Sequence, residues 1–166
     1  MNIILKNNTP EKDKEMAKEI ISSFLELLKE LTLLEEEIFK RNHELDVEKS
    51  VLNISDNQNH PKWKELMAEY KNRFEEIIKG KVSENLMSSG YAERYANPSE
   101  YSYVNSGDFS LEFTIKKEDK VTIITRYKET VDMKHEFILR LIDKKWLVDG
   151  KCYGFGDETI WYWDRI

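Results

Sequence analysis

The stretch FSLEFTIKKEDKVTIITRY (109–127) carries an apolar or aromatic side chain at every second position along most of its length. Phe109, Leu111, Phe113 and Ile115 alternate with Ser110, Glu112 and Thr114. Val121, Ile123, Thr125 and Tyr127 alternate with Thr122, Ile124 and Arg126. A period of two places each set on one face of a strand. The charged run Lys117-Glu118-Asp119-Lys120 between the two sets reads as a turn, so the strands pair antiparallel.

Downstream, HEFILRLI (135–142) is apolar at nearly every position, as a central strand requires. The turn Asp143-Lys144-Lys145 leads into WLVDGKCY (146–153), and the glycine-spaced loop Gly154-Phe155-Gly156-Asp157 leads into the closing IWYWDRI (160–166). This part of the chain is a meander of about four to six antiparallel strands.

Upstream of Asn97-Pro98 the period is helical. Met16, Ile20, Phe24, Leu27, Leu31, Leu34 and Ile38 fall on one stripe, widened by Ile21, Leu25 and Leu28. Thr9 as N-cap, Pro10 at the first helical position and Glu11 mark its start. Glu35-Glu36-Glu37 is expected on its solvated face. After the loop signal DNQNHP (56–61), Trp63, Leu66, Met67, Tyr70, Phe74, Ile77 and Ile78 form a second stripe, ended by Lys79-Gly80. Ser83 caps a short third helix closed by Gly90. Helices over about 10–95 followed by strands over about 100–166 make one α+β domain spanning 1–166. The helices pack on the concave face of a curved antiparallel sheet, leaving a cone with a hydrophobic throat.

Composition narrows the function. The chain has 166 residues, 35% of them charged, with a formal net charge of −6 and a sequence pI near 5.3. That balance argues against nucleic acid as a ligand, since a phosphate backbone needs a basic stripe, and it suits a basic protein partner. The single cysteine, Cys152, excludes an internal disulfide. MNIILK has too short an apolar run for a signal peptide, and no stretch is long enough to span a membrane, so a cytoplasmic location is expected.

No catalytic motif emerges, and the expectation is a protein without enzymatic activity, metal or cofactor. His43, His60 and His135 lack metal-ligand spacing. His60 before Pro61 reads as a loop or cap residue. His135 opens the central strand and becomes a candidate base only if it points into the throat, where Asp149 could pair with it. Asp149 reads better as a residue where its strand turns. Cys152 reads as an inert small hydrophobe. GFGDE (154–158) lacks the full dinucleotide spacing and reads as a turn. Arg126 and Arg140 lie within strands, either projecting outward with their stems on neighbours or forming a cationic binding surface.

The segment LIDKKWLVDGK (141–151) resembles the late sheet of nuclear transport factor 2-like folds. Together with FEEIIKGKV (74–82), ANPSEY (96–101) and the closing aromatic strand, it is similar to the nuclear transport factor 2 fold immunity proteins of bacterial polymorphic toxin systems, which include partners of Rhs-type and contact-dependent toxins. The resemblance covers roughly 70–166. It implies a non-enzymatic role, binding and neutralising a cognate toxin made by the same cell. An acidic inhibitor suggests a basic toxin such as a nuclease.

Two other readings stand beside it: a small-molecule-binding protein or isomerase/dehydratase-like enzyme using the cone pocket, and an accessory domain that dimerises. A polar throat lined by His135 and an acid favours the small-molecule reading. A throat plugged by aromatic side chains favours the others.

In IWYWDRI, Ile160 and Tyr162 face one way and Trp161 and Trp163 the other. Ile160 and Tyr162 are assigned to the core. Trp161 and Trp163 then lie outside beside the 153–158 loop, so Tyr153, Phe155, Asp157, Glu158, Trp161 and Trp163 form the expected partner-binding surface, for a toxin or a second copy of the chain. The alternative is that the stems of Lys151 and Arg140 simply cover the two Trp rings.

Overall fold

A computed structural model of the chain describes residues 1–5, 10–91 and 94–166. Its elements run β1 (Asn2–Leu5), α1 (Lys14–Leu52), α2 (Trp63–Ile78), α3 (Glu84–Ser88), α4 (Tyr103–Ser106), β2 (Phe109–Lys117), β3 (Lys120–Lys128), β4 (Asp132–Ile142), β5 (Lys145–Phe155) and β6 (Tyr162–Asp164). The six strands form one sheet in sequence order, covered on one face by the helices. The long helices precede Pro98 and five of the six strands follow it, from Phe109 on, so the α+β class holds. No helix among the described residues is long and apolar enough to cross a membrane.

Two boundaries differ. The sheet is not wholly antiparallel, because β1 pairs parallel with β2 at one edge. Four residues are too few to display a period, so this strand is defined by its partner. Helical structure also resumes after Pro98, in the one-turn α4. The helix start divides into a 3-10 turn over Glu11–Asp13 followed by α1, whose 39 residues run past the expected stripe to Leu52. Thr9, expected as the N-cap, lies outside the described residues.

The turns follow from their residues. Asp143 and Lys144 both have positive φ, the geometry of a two-residue hairpin whose twist matches its strands. Ser83 caps α3 by accepting from the Leu86 N–H at 3.1 Å. Beyond Lys79, Gly80 sits at φ +70°, where a side chain would be strained. The Arg41 guanidinium donates twice to Glu69 and that of Arg73 twice to Glu37, so two forked pairs clamp α1 to α2.

The core lies between α1 and the sheet. Ile20, Phe24, Leu27, Leu31 and Ile38 meet Leu111, Phe113, Ile123, Phe137 and Leu139, and all are buried. Phe24 meets Phe137 edge-on with ring centroids 4.7 Å apart. One expected surface residue is part of this layer. Glu35 is 2% exposed, while Glu36 and Glu37 on the same run face water. Glu35 falls on the stripe Leu28, Leu31, Ile38, Asn42 and Leu45, all buried, at spacings of three and four.

Candidate functional site

A β-bulge decides which side chains of β5 face inward. Ile138 pairs with Gly150 but Leu139 pairs with Val148, so Asp149 is the extra residue. Before the bulge Trp146 and Val148 face the helices. After it Lys151 and Tyr153 do, opposite Phe137 and His135. Cys152 and Gly150 face outward. Without the bulge, Lys151 would have been an exposed lysine, which is how the sequence reads.

Lys151 is instead fully buried. Its ammonium donates to Glu100 Oε1 at 2.7 Å, Asp164 Oδ2 at 2.8 Å and the Arg165 carbonyl at 3.1 Å, and it lies 5.0 Å from the centre of the Tyr101 ring. All three of its donors are used. The Arg94 guanidinium takes the other oxygen of Glu100 at 2.9 Å. Ser99 donates to Glu35, closing the network onto α1. Burial pushes the Glu35 carboxyl up to about 7; the Ser99 hydroxyl and the cations Arg94 and Lys151 oppose the rise, and Glu100 adds to it.

His135 does point inward, onto the floor of this region. Its Nε2 lies 3.1 Å from the Tyr127 hydroxyl and its Nδ1 3.3 Å from that of Tyr103. Burial, reinforced by Lys151 and Arg94, holds the imidazole neutral well below its ordinary titration range. The acid nearest it is Glu100, 3.9 Å from Nε2, and not Asp149. Asp149 faces the other way, accepting from Ser83 at 2.7 Å and from Arg140 at 2.9 Å.

Above His135 opens a cleft of about 680 Å³ lined by Arg94, Ser99, Glu100, Tyr127, Glu129, Met133, Tyr153 and Asp164 among others. The throat is therefore hydrophobic at one end only. The expectation of an apolar throat is corrected because Glu35, Glu100, Lys151 and Asp164 supply one another with partners and so can be buried together.

The expected surface residues divide between two faces of the sheet edge. Tyr153 lines the cleft and stacks on Tyr162 with centroids 5.2 Å apart, and Phe155 stands edge-on to both. Trp163 pairs with Cys152 on the outer face, lies over Gly150 and Ile138, and is 77% exposed. Trp161 is half-buried with the Lys134 ammonium 4.7 Å from its ring centre. Asp157 and Glu158 stand exposed in the turn between these faces.

Two assignments are overturned. Ile160 and Tyr162 are not core residues but 54% and 41% exposed, and Ile166, at 1%, is the residue that anchors this segment. The reason is that β6 has only three residues and pairs with β5 at Lys151–Tyr153, where the throat widens into the cleft. Nor do Lys151 and Arg140 cover the Trp rings. Lys151 is inside, Arg140 pairs with Asp149, and Lys134 is the residue over Trp161.

The remaining candidates fall on their quieter readings. His60 caps the 3-10 turn Asn57–Asn59 and accepts from the Lys62 N–H. Cys152 is buried, its thiol pushed up to about 11 by burial. Arg126 projects outward and donates to the Gly156 carbonyl. Comparison with protein-family models, with curated proteins and with solved structures gives no match to this chain.

Proposed function

We propose that the chain is an immunity protein that binds and neutralises a cognate toxin domain without catalysis, and that its helix-covered sheet is a nuclear transport factor 2-like cone. The observation that carries this reading is the aromatic edge at β5 and β6. Tyr153, Phe155 and Tyr162 form a ring cluster on the cleft side of this edge, with Phe155 and Tyr162 exposed, and Trp163 is exposed on the opposite face. Contiguous exposed aromatics mark interaction sites, and Trp and Tyr are the residues that dominate protein interfaces energetically. The exposed Asp157 and Glu158 follow the cluster in the turn after β5, where Arg126 and Lys134 also reach in, donating to the Gly156 and Glu158 carbonyls. An apolar centre with a charged rim is the anatomy of a protein interface, and the formal net charge of −6 on the whole chain suits a basic toxin.

The test is co-expression with a toxin domain encoded by the gene immediately upstream, whose presence there the reading predicts. On this reading the chain restores growth and co-purifies with the toxin. A folded chain that neither rescues growth nor binds the toxin would refute it.

A small-molecule carrier or isomerase/dehydratase-like enzyme is the second reading, and the cleft with His135 on its floor favours it. Against a base at that position, both ring nitrogens of His135 are within hydrogen-bond reach of Tyr hydroxyls, and Glu100 already answers Lys151 and Arg94. His135→Ala separates the two. Toxin neutralisation persists if the protein recognises a polypeptide, and function is lost in a folded variant if the cleft does chemistry.

A further inference from the structure

Residues 156–161 join the two exposed rings of the aromatic edge, Phe155 at the end of β5 and Tyr162 at the start of β6. They do not swing out as a free loop. They lie as a strap across the outer face of the sheet, and side chains of that face hold them there.

Gly154 faces outward beside Lys134, its partner on β4. A Cβ at Gly154 would stand 2.9 Å from the Ile160 carbonyl oxygen and 2.8 Å from Lys134 Cε, closer than a side chain approaches either. The strap therefore crosses the sheet where a glycine lets its backbone through. Lys134 lies beneath it, 3% exposed although it points to the outer face. Its ammonium donates to the Glu158 carbonyl and stands 4.7 Å from the centre of the Trp161 ring. A charge-assisted hydrogen bond and a cation over an indole both favour this closed arrangement. Arg126, opposite Lys134 on β3, donates to the Gly156 carbonyl at 3.2 Å, and the Gly156 N–H donates to the Asp132 carbonyl at 2.7 Å. The start of the strap and its far end are thus tied down separately.

Fixing the strap fixes the rings at its ends. Phe155 and Tyr162 meet with centroids 6.3 Å apart. β6 has only three residues to hold Tyr162 in register, so the strap supplies the remaining constraint. A surface ordered in advance loses less entropy when a partner docks.

We propose that Lys134 positions the aromatic edge: by holding the 156–161 strap over Gly154, it sets Phe155 and Tyr162 side by side before any partner arrives. This rests on the reading of the chain as a toxin-binding protein and adds the residues that prepare its surface from beneath.

The first test needs no toxin. Lys134→Met keeps the stem and removes the ammonium, whereas Gly154→Ala keeps the ammonium and pushes on the Ile160 carbonyl. In both, hydrogen exchange at the Gly156 and Glu158 amides, which are bonded in the native strap, should quicken about tenfold. Nuclear Overhauser contacts between the Phe155 and Tyr162 rings should fade, while the amides of β3 and β4 exchange as in the native chain. Native exchange and native ring contacts in Lys134→Met overturn the inference. Faster exchange throughout the sheet makes Lys134 a general stabiliser and overturns it as well. If Lys134→Met does not fold, Gly154→Ala decides by the same two readouts.

The second test uses the toxin domain. Lys134→Met should lower its affinity about tenfold although Phe155 and Tyr162 are intact. If the toxin binds at full strength while the strap exchanges faster, the strap prepares nothing that the toxin reads, and this inference falls while the proposed function stands. If the toxin does not bind the native protein, the proposed function falls, and the exchange and ring contacts alone decide whether Lys134 positions the two rings.

Discussion

The two ends of the helix–sheet interface are built from different chemistry. At one end Met16, Ile20, Phe24, Leu27, Leu139 and Val148 give an apolar floor to a groove of about 520 Å³, with Glu19, Glu26, Lys81, Lys144 and Lys145 also lining it. At the other, Glu35, Ser99, Glu100, Lys151 and Asp164 form a buried chain of charges that continues into the polar cleft. Apolar burial is non-directional, so the first end constrains side-chain volume and little else. The second end constrains identity, because each charge is tolerable only while its partner is present. On the proposed function, recognition needs positions that discriminate, and the polar end, beside the aromatic edge, is where such positions are offered.

The largest effects should separate the ends by chemistry rather than size. Lys151→Met keeps most of the stem but takes the cation from Asp164 and leaves Glu100 with Arg94 alone, and should cost about 3–5 kcal/mol in denaturant unfolding. Phe24→Ala at the apolar end should cost a similar amount by leaving a cavity. The first loss should shrink at low pH, where the stranded acids take up protons, and the second should not change. Equal pH responses would erase the contrast.

A smaller effect concerns Glu35. Its carboxyl titrates near 7 in the folded chain and near 4.5 unfolded. The folded state therefore holds the proton more tightly, and the stabilisation is present below pH 4.5 and lost as pH rises through 7. The loss is roughly 3 kcal/mol at most, and Glu35→Gln should remove that slope and leave the protein more stable than the native chain at pH 8. His135 acts in the opposite sense. Its folded form resists protonation, so stability falls as pH drops below 6.5, and His135→Phe should remove that decline. Thermal unfolding of the two variants across pH 4–8 checks both.

Weaker still, Trp163→Ala should change stability by no more than about 0.5 kcal/mol, since the ring is mostly in water. Binding should carry the electrostatic signature of a chain with formal net charge −6, with the association rate for a basic toxin falling roughly tenfold from low to high salt. A flat salt response in stopped-flow mixing would remove charge from the account of recognition.

The apolar end was legible in the sequence because periodicity reports burial of apolar side chains. Phe24, Phe113 and Phe137 all sit where a period of 3.6 or 2 puts them. The polar end was not, because a buried lysine and a buried glutamate look like solvated ones until their partners are known. Glu35 did carry a signal, its place on the Leu31–Ile38–Leu45 stripe, which the neighbouring Glu36 and Glu37 obscured. Lys151 carried a fainter one. Asp149-Gly150 marks a bulge that shifts the facing of everything after it, and it determines both the lysine's burial and the side on which Tyr153 lies. In the last strand the alternation correctly put Trp161 and Trp163 on the outer face, but alternation says nothing about how far the helical layer reaches. For that reason Tyr162 emerges at the cleft mouth and Ile166 fills the core.

The central claim, that the aromatic edge recognises a toxin, is tested most directly by calorimetric titration of the neighbouring gene's toxin domain into the native chain and into the double variant Phe155→Ala with Tyr162→Ala. The native chain should bind tightly, and the variant should lose about 2 kcal/mol or more, roughly thirtyfold in affinity, while melting as a folded protein. Full affinity in the folded double variant would contradict the claim.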